Sequence, residues 1–434
     1  MIGRLVIIWT SAIVSLAGCQ SHKISIPAPE TSQSPSTRSA SGLCTAVADF
    51  LRNRNLPELE SVEVWQNDYG PGLRLLTAHY EVLTTLMDPV MLGRIPEFVE
   101  STYRAYNHQL PEPVETPSTP SIPFRRGSAG VPSANEGPSP STPSIPLRRG
   151  SAGVPSANEG PSPSTRSGAV PSMRASGGPK ADGSRAPARN LHARFVIYLF
   201  ADRAQWENFT RTFAGEQAEI FCRIQAGAYY HRNACVAYDI GPDRTFSVLG
   251  HEGWHQFNDR HFKFRLPSWL DEGVAMLFEA QSCKDGSFDF RPENNAYRLK
   301  ALRKTLEADA MIPLEQLIAT TPGDVLATDQ TEAVMAFYSQ SYALARFLSS
   351  GTRLAAYRRL LADGLHGDWP LDEVSRKIAA DRSVPRNVLW NHIVGLVLFQ
   401  EYVGDDFATV EQEYLAFCRE ITSQWQKNPR HASF

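Results

Sequence analysis

Ten residues near the middle of the chain decide how its central region folds: Phe246-Ser247-Val248-Leu249-Gly250-His251-Glu252-Gly253-Trp254-His255. We expect this segment to be helical, and side chains four residues apart then project from the same face of the helix. The imidazoles of His251 and His255 can therefore reach one tetrahedral metal ion, while Glu252, one step round the helix, faces a water molecule on that ion. The spacing predicts a zinc site that performs hydrolysis.

A zinc ion that does chemistry takes a third ligand from the protein and leaves its fourth position for water. Two candidates compete for this role. His261 stands ten residues after His251, as in metzincin sites, but Asn258 occupies the position of their turn glycine. Glu272 lies in a second segment and would supply a carboxylate from a second helix. That segment is Leu266-Pro267-Ser268-Trp269-Leu270-Asp271-Glu272-Gly273-Val274-Ala275.

Strand patterns precede the histidine segment. The apolar run at residues 195–200 predicts a buried strand, residues 234–239 predict a second, and the alternating pattern over 73–80 predicts a third. Helical patterns occur around 96–106 and over 203–213. The region before the histidines is therefore expected to contain a small mixed sheet.

From Thr245 to Trp425 the pattern is predominantly helical, with Pro267, Pro313 and Pro370 as breaks between helices. A small mixed sheet followed by a mainly helical body is the predicted architecture. The fold class is α+β.

An internal duplication interrupts the folded pattern. Residues 118–140 and 141–163 are copies of a 23-residue unit that differ only at Phe124 and Leu147. Stacked repeats need an apolar face, and this unit of Pro, Ser, Gly and Arg has almost none. We therefore predict a disordered insertion.

The N-terminus is typical of an export signal. Arg4 precedes an apolar stretch over residues 5–16 that is too short to remain as a membrane-spanning helix. The stretch ends in Leu16-Ala17-Gly18-Cys19, which resembles the lipobox of bacterial lipoproteins and implies acylation of Cys19. Gln20 follows the cysteine, which favours the outer membrane in a cell with two membranes. The alternative is an ordinary secretory peptide with an incidental cysteine.

These patterns divide the chain into five regions. A signal peptide over 1–19 is followed by a disordered tether over 20–42, which is rich in Ser, Pro, Thr and Gln. Residues 43–110 form the first part of the catalytic domain and residues 190–434 its main part. The disordered insertion over 111–189 separates the two parts.

The formal net charge of −3 on 434 residues provides no general attraction for nucleic acid. We therefore expect no nucleic-acid partner. The expected partners are a peptide or protein substrate at the metal site and a lipid bilayer at the acylated Cys19, with the body in the periplasm or outside the cell.

Five further cysteines leave at least one unpaired. Cys222 and Cys235 are closest in sequence and are the first candidates for a disulfide bond in an oxidising compartment. The five are Cys44, Cys222, Cys235, Cys283 and Cys418.

The two metal segments together resemble the peptidase MA-like gluzincins, and in particular the family called domain of unknown function 1570. The resemblance covers roughly residues 73–421, with the repeat region as an insertion. It implies a gluzincin, thermolysin-like catalytic domain with Zn2+ as the cofactor, His251 and His255 as ligands and Glu272 as the third ligand. It also implies that Glu279 orients a metal-binding histidine.

A later segment, Phe337 to Leu348, is similar to the helix of aminopeptidase-type gluzincins that carries an oxyanion-stabilising tyrosine. The resemblance gives this role to Tyr338. The alternative is that Tyr338 and Tyr342 are core aromatics of an amphipathic helix. The segment Gly227 to Asn233 lacks the glutamate with which aminopeptidases bind a substrate amino terminus, which favours an endopeptidase.

We therefore expect a zinc-dependent peptidase in which Glu252 acts as general base. A different class of function stays open. The alternative is a cell-envelope lipoprotein that uses the same fold for binding or scaffolding, without catalysis.

Overall fold

The computed structural model describes residues 37–111, 194–225, 227–328 and 330–427. Within these residues the chain forms a mixed α+β structure, which confirms the predicted fold class. The predicted lipobox with Cys19 and the 23-residue repeats lie outside the described residues.

The main sheet is mixed and six-stranded, with the strand order β1-β2-β3-β4-β6-β5. The first three strands pair antiparallel, β3–β4 and β4–β6 pair parallel, and β5 returns antiparallel along β6 as the edge strand. The interior strands β4 and β6 are the two apolar runs that the sequence predicted. The strands are β1 Ser61–Val64, β2 Leu73–Leu76, β3 Tyr80–Thr84, β4 Phe195–Phe200, β5 Ala228–His231 and β6 Ala234–Tyr238.

The single strand predicted over 73–80 is wrong, because the chain reverses between β2 and β3. The backbone N–H of Thr77 donates to the carbonyl of Tyr80 at 3.0 Å. The buried carboxylate of Glu100 then accepts from the hydroxyl of Thr77 at 2.6 Å and from the backbone N–H of His79 at 2.9 Å. A glutamate distant in sequence stabilises this turn, so local alternation alone could not reveal it.

Helices pack against the sheet and make up most of the remaining described residues. The predicted helix over 203–213 is confirmed, and helices begin directly after Pro267 and Pro313. The helices are α1 Thr37–Arg52, α2 Pro89–Gln109, α3 Arg203–Phe213, α4 Ala218–Cys222, α5 Pro242–His261, α6 Ser268–Ala275, α7 Ala296–Glu307, α8 Leu314–Ala319, α9 Pro322–Leu326, α10 Thr331–Leu348, α11 Leu354–His366, α12 Glu373–Ala380, α13 Val388–Trp390, α14 Val397–Tyr402 and α15 Phe407–Lys427. Short 3-10 segments lie at Gly215–Gln217, Met276–Phe278, Pro292–Asn294 and Gly351–Arg353, and a π-helical segment lies at Asn391–Leu396.

Two helix boundaries and one hairpin differ from what the sequence predicts. Helix α1 begins at Thr37, within the segment 20–42 that was predicted to be a tether. Helix α2 is longer than predicted, because Asp88 caps it by accepting from the N–H groups of Val90 and Met91. A hairpin of two strands, β7 Gln281–Lys284 and β8 Ser287–Phe290, interrupts the predicted helical body.

The predicted disulfide between Cys222 and Cys235 is wrong, because both thiols are free. Cys235 is buried in β6 and Cys222 ends α4. In the part of the chain that the structure describes, no helix is long and apolar enough to cross a membrane.

Helices α6 and α10 pack closely at Gly273, and replacing Gly273 with alanine is expected to destabilise the protein. A Cβ atom at this position would lie 2.5 Å from the carbonyl oxygen of Ser341 and 3.0 Å from the Cβ of Ala345. Overpacking of this kind costs about 1–3 kcal/mol, which outweighs the gain of about 1 kcal/mol from the better helix propensity of alanine. The free energy of unfolding from urea titration measures the effect.

Gly323→Ala is the matched control for this substitution. A Cβ atom at Gly323 would meet its nearest neighbour, Thr321 Oγ1, at 3.7 Å, which is an ordinary contact. Equal free energies of unfolding for Gly273→Ala and the unmodified protein would show that the two helices separate without cost.

Candidate metal centre

Helix α5 carries His251, Glu252 and His255 through the interior of the protein, where all three side chains are buried. Its position is fixed by Tyr106 of α2, whose hydroxyl donates to the carbonyl oxygen of Gly250 at 2.6 Å. A Cβ atom at Gly253 would lie 2.5 Å from the same hydroxyl, so α2 can approach only a glycine here.

Helix α6 brings Glu272 against the two histidines. Its Oε2 lies 3.4 Å from Nε2 of His251 and 3.8 Å from Nε2 of His255, and these two nitrogens lie 3.3 Å apart. The three residues form a buried group that can hold a metal ion. His261, the competing candidate, lies outside this group and packs against Phe257, with the ring centroids 4.5 Å apart. The chain reverses after α5, so the helix that follows Pro267 supplies the third member.

The opposite nitrogen of each imidazole is already hydrogen-bonded. Nδ1 of His251 lies 2.9 Å from Oε1 of Glu279, and Nδ1 of His255 lies 3.1 Å from Oδ1 of Asp271. Protons on the two Nδ1 atoms leave both Nε2 atoms as acceptors that face each other. Both carboxylate oxygens of Glu272 are buried without a hydrogen-bond donor in the described residues. Three electron-pair donors thus converge on one point, and a cation satisfies all of them.

Glu279 is held as a carboxylate by groups from helix α7 and its N-cap. Arg298 donates from Nε and Nη2 to its two oxygens at 2.8 and 2.6 Å, and Asn295 donates at 2.9 Å. Burial alone would raise the pKa of Glu279, but Arg298 and His251 together lower it to about 2. The charged form that orients His251 is therefore maintained.

Asp271 has a corresponding partner on the other side of the centre. Arg386 contacts its Oδ2 from Nη2 at 3.1 Å, and Asn258 donates to Oδ1 at 2.9 Å. Asn258, which replaces the metzincin glycine, thus supports the carboxylate beside His255. The spacing of the histidines did not indicate that Asp271 contacts His255. No sequence signal connects Arg298 or Arg386 to this centre.

The charges around the centre favour a divalent cation. The two carboxylates that hold the Nδ1 atoms are each paired with an arginine. Glu252 and Glu272 form no ion pair with arginine or lysine in the described parts of the chain, which leaves two negative charges. Burial lowers the pKa of His251, but Glu272 and Glu279 outweigh burial and raise it to about 10. The same carboxylates that favour a proton on His251 therefore favour a cation at its Nε2, and a bound metal ion would displace that proton.

Glu252 is 2% exposed, and its carboxylate accepts a hydrogen bond from the backbone N–H of Tyr230 in β5. Burial raises its pKa, while His251 and His255 act in the opposite direction. Tyr230 in turn donates from its hydroxyl to Asp259 at 2.8 Å. The edge strand and α5 together fix the carboxylate of Glu252 beside the histidines.

Tyr338 lies buried on α10, and its ring is 5.4 Å from the guanidinium carbon of Arg298. It is thereby connected through Arg298 and Glu279 to His251. Tyr342, one turn later, donates from its hydroxyl to the carbonyl of Pro292 at 2.6 Å.

A cavity of about 290 Å3 borders the centre on the side of His255. Tyr230 and Asp271 also line it, so it reaches both the edge strand and a carboxylate that holds an imidazole. Its volume is near the lower limit of typical small-molecule sites. Among the proposed ligands and the base, His255 lines this cavity, together with the Asp271 carboxylate that holds its Nδ1.

No protein-family model matches this chain, and a comparison with curated proteins finds no match either.

Proposed function

We propose that the protein is a zinc-dependent peptidase in which His251, His255 and Glu272 hold the ion. The observation that carries this proposal is the convergence of two Nε2 atoms and one carboxylate oxygen, with both Nδ1 atoms already bonded to carboxylates. Two neutral imidazoles and one carboxylate are a typical ligand set for catalytic zinc. The helices around them are proposed to be a gluzincin-type catalytic domain.

When bound, zinc lowers the pKa of a water molecule towards about 7 and polarises a substrate carbonyl. Glu252 accepts a proton from the attacking water as the water oxygen bonds to the peptide carbonyl carbon. The carbon–nitrogen bond then breaks, and Glu252 returns the proton to the leaving amine nitrogen. The net reaction is the addition of one water molecule across one peptide bond.

Three further residues have proposed supporting roles. Glu279 and Asp271 are positioning residues, because each holds one imidazole in the orientation that directs Nε2 to the ion. Tyr338 is proposed to donate a hydrogen bond to the carbonyl oxygen as negative charge develops there. Its ring contacts Arg298, which binds the Glu279 carboxylate beside His251, and this closeness to the centre supports the role.

We propose an endopeptidase that acts on peptides or proteins in the cell envelope. Strand β5 and its turn, at Gly227–Asn233, contain no carboxylate that could bind a substrate amino terminus. The segment that ends at Cys19 supports a lipid anchor, with the outer membrane favoured and the body in the periplasm or outside the cell.

Zinc content and peptide cleavage by the purified protein test the proposed function. We expect one zinc ion per chain, cleavage of a quenched-fluorescence peptide library, loss of cleavage on removal of the metal with a chelator, and recovery when zinc is added back. Zinc-loaded protein that cleaves no peptide would support a binding or scaffolding role. Cleavage that survives chelation would contradict the role of zinc.

A further inference from the structure

The cavity beside His255 is unusually basic. Four guanidinium groups line it against two carboxylates. Burial lowers the pKa of His231, which also lines the cavity, to about 4, so this ring adds no charge at neutral pH. The cavity therefore contains an excess of positive charge. The charged residues are Arg232, Arg265, Arg382, Arg386, Asp259 and Asp271.

Both carboxylates of the cavity are already engaged. Asp259 pairs with Arg382 at 2.7 Å, and Asp271 pairs with Arg386 at 3.1 Å. Neither carboxylate is therefore available to balance the positive charge of the other two arginines, Arg232 and Arg265.

Of the buried arginines that line the cavity, Arg265 forms no ion pair with a carboxylate of the described residues. Its side chain lines the cavity, the residue is 6% exposed, and Nε and Nη2 have no hydrogen-bond acceptor in the described residues. The guanidinium carbon lies 5.3 Å from the ring of Trp390, which supports it from one side. Burial lowers the pKa of Arg265 to about 10, so the group is charged at neutral pH. Buried donors without acceptors are costly, and a ligand that supplies acceptors removes that cost.

The two unsatisfied atoms have the geometry that matches a carboxylate. Nε and Nη2 present two parallel N–H bonds along one edge of the planar guanidinium group, and carboxylates accept such a pair in a bidentate contact. Arg298 binds Glu279 through the same two atoms, at 2.8 and 2.6 Å. Arg265 carries an equivalent pair without acceptors, and its side chain lines a cavity that His255 also borders.

We propose that Arg265 binds a carboxylate group of the substrate in this cavity. This inference rests on the proposed peptidase function, because it places the carboxylate in the space next to the metal centre. The carboxylate comes from an aspartate or glutamate side chain near the cleaved bond or from the substrate C-terminus. In the second case the enzyme would remove short C-terminal fragments.

Calorimetric binding of three acetylated tripeptides to the zinc-loaded full chain tests this proposal. Acetyl-Ala-Ala-Gln-amide is neutral, the corresponding glutamate amide carries a side-chain carboxylate, and the glutamine peptide with a free C-terminus carries a terminal carboxylate. We expect one carboxylate peptide to bind at least about tenfold more tightly than the neutral peptide, in line with a charge-assisted hydrogen-bonded pair. The peptide that gains affinity identifies the source of the carboxylate. Equal affinity for all three would overturn the proposal.

Variants at Arg265 assign the effect to this side chain. Arg265→Met is expected to abolish the preference, and Arg265→Lys to retain part of it, while the affinity for the neutral peptide and the zinc content stay unchanged. Arg260→Met is the burial-matched control, because Arg260 is also 6% exposed and packs on an aromatic ring, that of Phe195, at 3.7 Å. A preference that survives in Arg265→Met would refute the assignment. If the methionine variant fails to fold, the binding of the three peptides to the wild-type protein still tests the proposal.

The binding measurement separates this inference from the proposed function, because it requires no hydrolysis. A carboxylate preference without cleavage would retain the Arg265 site and contradict the peptidase. Cleavage without any carboxylate preference would retain the peptidase and contradict the Arg265 site.

Discussion

Glu252→Gln is expected to lower kcat for peptide cleavage by about 100- to 10,000-fold, the contribution typical of a general acid–base group. Glutamine has nearly the same shape and can still accept the hydrogen bond from the N–H of Tyr230, but it cannot take a proton from water. Zinc content should remain at the wild-type level, because the ion is held by other side chains. Steady-state kinetics on a peptide substrate, together with metal analysis of the same preparation, measures both quantities.

Glu100→Gln provides a matched control for this experiment. Glu100 is also 2% exposed and contacts a histidine, since its Oε2 lies 2.7 Å from Nδ1 of His79, but it supports the turn between β2 and β3. This variant should retain its kcat. If Glu252→Gln kept both zinc and full activity, Glu252 would not be the base.

Glu272→Ala is expected to weaken zinc binding by more than about 100-fold, beyond the 10- to 100-fold loss typical of removing an outer partner of a metal ligand. The substitution removes one of three ligands and the negative charge that lies 3.4 Å from His251 Nε2. Competition with a chromogenic chelator measures the dissociation constant. Peptide cleavage at limiting zinc should fall in parallel.

His261→Ala tests the competing ligand. His261 packs on Phe257 at the end of α5, so its removal should leave zinc affinity unchanged. The metzincin alternative would predict the reverse. Loss of zinc from His261→Ala, with Glu272→Ala still metal-bound, would reject the proposed ligand set.

The parts of the fold that are determined by residues close together in the sequence could be predicted. Helix periodicity places His251 and His255 on one face, and the apolar run at 195–200 is strand β4 as expected. Cys44, Ala48 and Leu51 are buried at helical spacing in the second half of α1. The residues before Leu43 resemble a linker in composition, so the sequence does not indicate that the helix begins at Thr37.

A two-residue signal also marked the missed hairpin of β7 and β8. Asp285 and Gly286 both have positive φ, at 53° and 83°, and an Asp-Gly pair favours this type of tight turn. The helical pattern on either side concealed it. Short strands that lack strong alternation are difficult to separate from helical surroundings.

The partners of Glu279 and Asp271 could not be predicted from the sequence. Arg298 lies 19 residues after Glu279, and Arg386 lies 115 residues after Asp271. Such pairs form only when distant helices pack together, and no local pattern encodes which arginine meets which carboxylate. The positions of these arginine–carboxylate pairs follow from the tertiary structure alone.

The contact between Arg386 and Asp271 limits how far this chain can be shortened. All proposed ligands and the base lie within residues 251–272, so a truncated protein could retain every one of them. A chain that ended before Arg386 would nevertheless leave Asp271 as a buried carboxylate without its arginine, and such an unbalanced charge is strongly destabilising. The smallest functional fragment must therefore extend more than a hundred residues past the motif that identifies it.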